Sequence, residues 1–271
     1  MRIPIEDPDD PRIEVFQGLR DHVLRQKREQ PDGDMAGVFI SEGDLVVGRA
    51  LQAGYKLHSV LVDGARRQPM PEIIDDRVPI YAAGPKVLQK ITGYHLHRGM
   101  LACFARRPEM TVPEVLEAVT TAVIIEGVNN PTNIGVILRC AAGLGIDGFL
   151  LDPTCCDPLY RRSGRVSMGE AYSLPYARLD AFPGGLDVCR ENGMTLIALT
   201  PHHDAEPINE LKLSPDEKIG LMLGAEGPGL SDGALSSADR MVKIPMSGTV
   251  DSINVGSAAA VAFYATMLAR T

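Results

Sequence analysis

The sequence predicts an α/β protein in two domains, and three observations support this prediction. Short apolar runs of strand length alternate with stretches of helical periodicity along most of the chain. The 271 residues are 45% hydrophobic and 23% charged, a composition that fits globular domains and excludes collagen-like, disordered and coiled-coil proteins. A polar segment with two prolines separates two α/β series. We therefore predict a small α/β domain over residues 1–107, a linker over 108–118 and a second domain over 119–271.

The first domain is predicted to open with an amphipathic helix, followed by alternating strands and helices. The apolar residues of this helix and its stop signals are Ile13, Phe16, Leu19 and Val23, then Pro31 and Gly33. A strand over 37–40 leads through a capping-box pattern, Ser41 to Asp44, into a second helix. The apolar face of that helix and the glycine that ends it are Leu45, Val46, Ala50, Leu51 and Gly54. Strands at 58–63, 78–83 and 99–106 and a short helix over 85–93 complete the domain.

The second domain is predicted to contain a mostly parallel sheet, because strands and helices alternate in it. Its strands are expected at 121–127, 148–151, 194–200, 219–224 and 242–245. Its helices are expected over 133–145, near 181–192, near 231–239 and over 254–270.

Composition narrows the function and the location. A net charge of −8 argues against a globally basic nucleic-acid binder, and 5% aromatic residues without Trp argue against a broad base-stacking platform. Five cysteines without C-x-x-C spacing indicate a reducing compartment. The acidic amino-terminal residues do not resemble a targeting peptide, and the longest uncharged apolar run, 255–269, is shorter than the ~18 residues that span a membrane. We expect a cytoplasmic protein without a membrane segment.

Several common cofactor and catalytic motifs are missing from the sequence. The first strand of the second domain is not followed by G-x-G-x-x-G, and neither a P-loop lysine nor a G-x-S-x-G elbow is present. The sequence His202-His203-Asp204 lacks a second ligand pair, and Cys155-Cys156 could not easily face one ion. We interpret these residues as surface polar groups and structural thiols, and we expect no metal.

Three polar segments follow predicted strands of the second domain, at the sheet edge where parallel sheets place their ligands. The first segment contains Asn133, which can cap a helix, and Arg139, a cation inside an apolar helix that has to find a partner. The second is a glycine-rich loop with the carboxylate of Glu226, and the third leads into a helix through Ser252 and Asn254. Separately, each has a simpler interpretation as a structural ion pair, a turn or a helix cap.

Together, the three segments resemble the signature motifs of the SpoU (TrmH-like) ribose 2′-O-methyltransferases of the SPOUT superfamily. The N-x-G-x-x-x-R motif is matched by Asn133, Gly135 and Arg139. The other two motifs are matched by Gly224, Glu226, Gly229 and Leu230, and by Ile244, Pro245, Met246, Ser252, Asn254 and Val255, with Ile253 in place of the usual Leu. The resemblance covers about residues 120–271. The first domain resembles the ribosomal-protein-like RNA-binding domain that precedes the catalytic domain in many members.

The resemblance implies a SPOUT-type parallel sheet with a carboxyl-terminal trefoil knot that binds S-adenosylmethionine. By analogy, the cofactor contacts are Thr200, Gly224, Ile244, Met246 and Ile253. It also implies a homodimer in which each site lies near the partner chain and the helix after Asn254 forms the interface. One departure is Gly256, where most members have a serine; here a serine comes one residue later, at Ser257.

The resemblance also implies roles for the motif residues in methyl transfer to a ribose 2′-hydroxyl of RNA. Family accounts make Arg139 the general base, but neutralising an arginine at pH 7 costs about 7 kcal/mol. We therefore expect Arg139 to orient a phosphate and stabilise the developing alkoxide. Glu226 would hold Arg139 or a ribose group, while Asn133, Ser252 and Asn254 would fix the loops and the hydroxyl.

The substrate and the activity itself have alternatives. The separate amino-terminal domain favours ribosomal RNA over transfer RNA as the substrate, and a non-catalytic RNA-binding assembly factor that retains the fold is a third alternative. Phosphate contacts are expected from Arg161, Arg162 and Arg165, which lie within five residues of one another beside a tyrosine. A solvated surface is the simpler interpretation of that arginine cluster.

Overall fold

The computed structural model describes residues 2–20, 24, 28, 33–72, 74–94, 96, 99–248, 250 and 252–270. The chain forms two compact units. Unit 1 comprises Met1–Arg107 and Pro158–Ser173, and unit 2 comprises Pro108–Asp157 and Leu174–Thr271. The segment at 158–173 thus departs from the predicted continuous domain over 119–271. The cause is local packing, because Leu159 and Tyr172 are buried in a core cluster of unit 1 that includes Phe39.

Unit 1 is built on a mixed five-stranded sheet of order β1-β4-β3-β5-β2. Its strands are β1 (Arg2–Ile5), β2 (Val38–Glu42), β3 (Leu57–Asp63), β4 (Ile80–Ala83) and β5 (Met100–Ala105). The β1-β4 and β3-β4 pairs are parallel, whereas β5 is antiparallel to both β2 and β3. Its longer helices are α1 (Asp44–Gln52) and α2 (Pro85–Thr92).

Three predicted details of unit 1 are wrong. The first helix is a 3₁₀-helix over Pro11–Phe16, which is followed by Gly18 with a φ of 60°. Val23 and Pro31 lie outside the described residues. The capping box before α1 is also wrong, because Gly43 is the N-cap and no side chain caps the helix. Leu45 is exposed, and the face of α1 that packs against the sheet is formed by Val46, Val47 and Ala50.

Unit 2 contains a wholly parallel seven-stranded sheet of order β10-β12-β9-β11-β6-β7-β8. Its strands are β6 (Thr121–Ile125), β7 (Gly148–Leu151), β8 (Tyr176–Arg178), β9 (Thr195–Leu199), β10 (Glu206–Pro207), β11 (Ile219–Leu223) and β12 (Arg240–Lys243). Every residue of β6 and β11 is buried, as expected for central strands that are covered on both faces. The α/β class and the parallel sheet agree with the prediction.

The remaining helices follow in chain order. They are α3 (Val112–Ala118), α4 (Pro131–Gly143), α5 (Arg161–Val166), α6 (Asp187–Glu191), α7 (Asp232–Ser236) and α8 (Val255–Ala269), of which α5 belongs to unit 1. Short 3₁₀-helices cover Glu170–Tyr172, Gly184–Leu186 and Ile208–Glu210. Helices α4 and α8 pack against each other. Across the described residues, no helix combines the length and the apolar character needed to cross a membrane.

The predicted linker over 108–118 contains helix α3. A capping box starts this helix, since Thr111 and Glu114 each bond the other's backbone N–H. Val115 and Leu116 are buried in the core of unit 2. These two apolar residues fix the segment to unit 2, so it does not act as a free connection.

Candidate functional site

A cavity of about 710 Å³ lies in unit 2, beyond the carboxyl ends of the neighbouring strands β12, β9 and β11. Parallel sheets place their ligands at this edge. All five predicted cofactor residues line the cavity, namely Thr200, Gly224, Ile244, Met246 and Ile253. Three of the predicted catalytic residues also line it, namely Glu226, Ser252 and Asn254. Asn133 and Arg139 lie outside the lining.

The glycine-rich loop after β11 forms one wall of the cavity by doubling back on itself. A Cβ atom at Gly224 would lie 2.1 Å from the carbonyl carbon of Gly229 and 2.2 Å from the backbone nitrogen of Leu230. Gly229 donates its N–H to the Ala225 carbonyl at 3.0 Å. Only glycine therefore fits at position 224, and the loop brings bare backbone up to whatever fills the cavity.

Asn254 joins the three motif segments at the rim of the cavity. It is the N-cap of α8, and its Oδ1 accepts the backbone N–H groups of Gly256 at 2.9 Å and Ser257 at 3.3 Å. Its side-chain Nδ2 donates to Asn133 Oδ1 at 3.1 Å and to the carboxylate of Glu226. The Asn254 side chain therefore caps helix α8 and also connects the three motif segments.

Helix α4 places Asn133 and Arg139, the two predicted catalytic residues on it, in opposite environments. Asn133 is buried and bonded to Asn254. It does not cap the helix, because Asn130 does so by accepting the N–H of Thr132. Arg139 is exposed, and within the described parts of the chain it has no hydrogen bond or ion pair. The expectation that Arg139 is a cation inside an apolar helix that finds a partner there is therefore wrong. Glu226 bonds to Asn254, and the alternative that Glu226 holds a ribose group stays a prediction.

The three predicted RNA-contacting arginines lie on α5 in unit 1 and differ in exposure. The guanidinium of Arg161 is buried, forms an ion pair with Glu42 and donates to the Tyr94 hydroxyl at 3.1 Å. Burial raises the pKa of Tyr94 well above its usual range. Arg161 is therefore internal, and as a surface phosphate contact it is a wrong prediction. Arg162 and Arg165 are exposed, and Arg165 lies 3.2 Å from Glu42.

The departure at Gly256 has a packing cause. A Cβ atom there would lie 2.6 Å from Cγ1 of Val136 and 3.0 Å from its Cβ, at the contact of α4 with α8. A serine at this position would require Val136 to move. Ser257 is exposed in the first turn of α8, and its backbone N–H takes part in the Asn254 cap.

Other polar clusters lie away from these contacts. His203 Nε2 is 3.2 Å from Asp204 Oδ1, and these residues with His202 present ligand-type atoms within 4.8 Å of one another on the surface. The expected absence of a metal stays a prediction. Cys155 is buried and its thiol donates to the Ile125 carbonyl at 3.2 Å, which agrees with a structural thiol.

Two carboxylates near the loop were not singled out from the sequence. Asp232 lines the cavity from the start of α7, and Glu126 follows β6 and accepts the backbone N–H of Ser231 at 2.8 Å. A signal existed for Glu126, since it is the first charged residue after a wholly buried strand.

The cavity fits S-adenosylmethionine in size and charge. Its volume lies within the range of about 300–1,000 Å³ that is usual for small-molecule sites. Apolar side chains such as Leu199 and Leu223 alternate with open backbone at the loop. Glu226 and Asp232 are carboxylates, and no Lys or Arg is found among the described lining residues, which suits a ligand with a cationic sulfonium.

Comparison with known proteins gives the family. The profile of the SpoU rRNA Methylase family matches residues 120–264. An uncharacterized tRNA/rRNA methyltransferase of Mycobacterium tuberculosis is 41% identical, with 95% of this chain and 89% of the relative covered. The chain belongs to the SpoU rRNA methylase family. Membership confirms the resemblance drawn from the three motifs, and with it S-adenosylmethionine as the cofactor of an RNA methyltransferase.

Solved structures of other methyltransferases match the fold over almost the whole chain. This SpoU family member is similar to a crystal structure of an RNA 2′-O ribose methyltransferase, with 26% identity, a TM-score of 0.78 and 99% of both chains covered. It also shares its fold with the SpoU methyltransferase AviRb of Streptomyces viridochromogenes in complex with AdoMet, at 22% identity and a TM-score of 0.75, with 96% of this chain and 98% of AviRb covered.

Proposed function

We propose that the chain transfers the methyl group of S-adenosylmethionine to a ribose 2′-hydroxyl of a structured RNA, preferentially ribosomal RNA. The observation that carries the proposal is the Asn254 junction, which ties Asn133 and Glu226 together at the rim of a cofactor-sized cavity. The similarity to an RNA 2′-O ribose methyltransferase over 99% of both chains supports the position of the methyl group.

The residues of the chain would divide the work between cofactor and ribose. When bound, S-adenosylmethionine supplies a methyl group activated by a positive sulfonium. The doubled-back loop at Gly224, with Thr200, Ile244, Met246 and Ile253, would enclose the cofactor and exclude water. Asn254 would hold the carboxylate of Glu226 in one orientation, and Ser252, which also lines the cavity, would contact the ribose. Positioning of this kind supplies roughly 7–11 kcal/mol of a reaction barrier.

Arg139 would act on the RNA backbone and on the ribose oxygen. As a guanidinium it stays protonated, so we assign it to orienting a phosphate and stabilising the developing alkoxide, with the hydroxyl proton released to water. Its exposure in the single chain suits a group that meets its ligand only when the assembly is complete.

A homodimer would complete the site. Helix α8 exposes four large apolar side chains, Val261, Tyr264, Met267 and Leu268, which are 42–51% accessible. Such a set on one helix favours burial against a second copy of the chain. We also propose that the chain end is threaded as a trefoil knot, with α8 returning to pack on α4 next to the junction.

Unit 1 would supply the RNA-binding surface. We assign phosphate contacts to the exposed Arg162 and Arg165 of α5 and no longer to Arg161. A separate unit in addition to the catalytic one suits a large folded RNA, which is the basis for favouring ribosomal RNA. Such phosphate contacts would weaken with salt.

The test begins with the purified full chain and tritiated S-adenosylmethionine, offered with ribosomal RNA or transfer RNA. Alkali cleaves RNA through the free 2′-hydroxyl, so ribose methylation leaves label in alkali-resistant dinucleotides, whereas base methylation leaves it in mononucleotides. We expect label in dinucleotides from ribosomal RNA, and none with Asn254→Ala. Label in mononucleotides, or binding of S-adenosylmethionine without transfer to either RNA, would contradict the proposal. Label from transfer RNA alone would overturn the substrate preference.

A further inference from the structure

Glu126 contacts both ends of the loop that forms the wall of the cavity. Its backbone N–H donates to the Leu223 carbonyl at 2.8 Å. Its carboxylate Oε2 accepts the backbone N–H of Ser231, also at 2.8 Å. Leu223 directly precedes the loop over 224–230 and Ser231 directly follows it, and all seven residues of that loop line the cavity. One residue therefore fixes both points where the loop joins the rest of unit 2.

We propose that Glu126 is a positioning residue for S-adenosylmethionine, which clamps loop 224–230 in the shape that receives the cofactor. The inference rests on the function proposed above. A carboxylate that accepts a backbone N–H makes a charge-assisted hydrogen bond, which is stronger than a neutral one. A loop that is already ordered before binding spares the ligand the cost of ordering it.

Loss of the Glu126 carboxylate is expected to weaken cofactor binding more than it destabilises the fold. Glu126 is half-buried and Ser231 is exposed, so without the carboxylate the N–H of Ser231 can bond to water. The loop itself keeps its internal bond between Ala225 and Gly229. Removal of the carboxylate should therefore free the loop end without disrupting the buried sheet.

The clamp is tested in the full chain with Glu126→Ala, Glu126→Gln and a control, Glu191→Ala, which removes an exposed carboxylate at the end of α6. We expect calorimetry to show S-adenosylmethionine bound about tenfold more weakly by Glu126→Ala. Glu126→Gln should stay within about threefold of the original chain, because its amide oxygen still accepts the N–H. The control should bind as the original chain does.

Two further readouts separate positioning from a general loss of structure. Without cofactor, amide hydrogen exchange at Ser231 should be faster in Glu126→Ala and unchanged in Glu191→Ala. In methylation assays, Glu126→Ala should raise the KM for S-adenosylmethionine and leave kcat at saturation within about twofold.

The outcomes distinguish the clamp from the proposed function. Equal cofactor affinity of Glu126→Ala and the original chain, or equal losses for the Ala and Gln variants, would overturn the clamp and leave methyl transfer standing. If the original chain does not bind S-adenosylmethionine, the proposed function fails and this inference fails with it. In that case amide exchange at Ser231 would still report whether the hydrogen bond forms.

Discussion

Arg161 in unit 1 and Arg139 in unit 2 both lie on helices, but only Arg161 is buried against a carboxylate. The side chains of Arg161 and Glu42 are 8% and 11% accessible, and the Tyr94 hydroxyl completes their cluster. Arg139 is exposed, and Glu226 bonds to Asn254. A buried arginine needs a partner inside its own unit. An exposed arginine has its donors open to solvent, so the comparison assigns Arg161 a structural charge and is consistent with the role proposed for Arg139.

The largest effect on folding is expected from Arg161→Ala. It leaves the carboxylate of Glu42 buried, with the neutral Tyr94 hydroxyl and the exposed Arg165 as its remaining described partners, so the free energy of unfolding should fall by about 3–5 kcal/mol. Arg139→Ala is the matched control and should change it by no more than about 0.5 kcal/mol. Urea unfolding of both variants measures the difference. Equal stability of the two variants would break the comparison.

The reverse effect is expected on catalysis. Arg139→Ala should lower kcat about 10²–10³-fold, because it removes the charge that we propose stabilises the developing alkoxide. The affinity for S-adenosylmethionine, measured by calorimetry, should not change, since Arg139 is not part of the cavity lining. Arg139→Lys keeps the charge without the planar fork and should recover only part of the rate. A full rate in Arg139→Lys would rule out a specific guanidinium role.

The same two arginines show what the sequence can and cannot predict. Position 139 is inside an apolar stretch, so periodicity suggests burial, but the exposed face of α4 depends on how α8 packs against it. Position 161 is in a polar, basic stretch, so composition suggests a surface. Its burial depends on Glu42 and Tyr94, which are 119 and 67 residues away along the chain. Pairing over such separations leaves no local pattern.

Sequence patterns predicted the elements that depend on neighbouring residues in the chain. Buried strands such as β6 and β11 follow from continuous apolar runs, and their shared edge follows from parallel pairing. That edge gathers Glu226 and Asn254 from segments 28 residues apart. Helix α3 could also have been predicted, because Thr111 and Glu114 have the capping-box spacing. Two prolines nearby favoured a linker instead.

A change in packing at α4 is expected to have a smaller effect than the loss of the Arg161 or Arg139 charge. Val136 lies one turn before Arg139, and it fills the space that a side chain at Gly256 would need. Gly256→Ser should therefore reduce the free energy of unfolding by about 1–3 kcal/mol. Val136→Ala in the same chain should restore part of that loss, which a double-mutant cycle measures. Additive losses would mean that the two positions do not compete for space.

The smallest expected effect comes from changing Glu226, whose carboxylate bonds to Asn254 and is exposed, unlike the arginine-paired Glu42. Glu226→Gln keeps an oxygen that can accept from Asn254 but removes a charge from a cavity without described Lys or Arg lining residues. S-adenosylmethionine is a sulfonium cation, whereas S-adenosylhomocysteine is a neutral thioether. We expect the variant to bind S-adenosylmethionine about two- to fivefold more weakly and S-adenosylhomocysteine with unchanged affinity. The effect is small because solvent screens the attraction between the Glu226 carboxylate and the sulfonium. Asp216→Asn, which removes an exposed charge outside the cavity, is the control. Equal weakening of both ligands in Glu226→Gln would mean that Glu226 acts through its hydrogen bonds and shape. The charge of Glu226 would then play no part in binding, and the comparison with Glu42, whose charge is paired with Arg161, would fail.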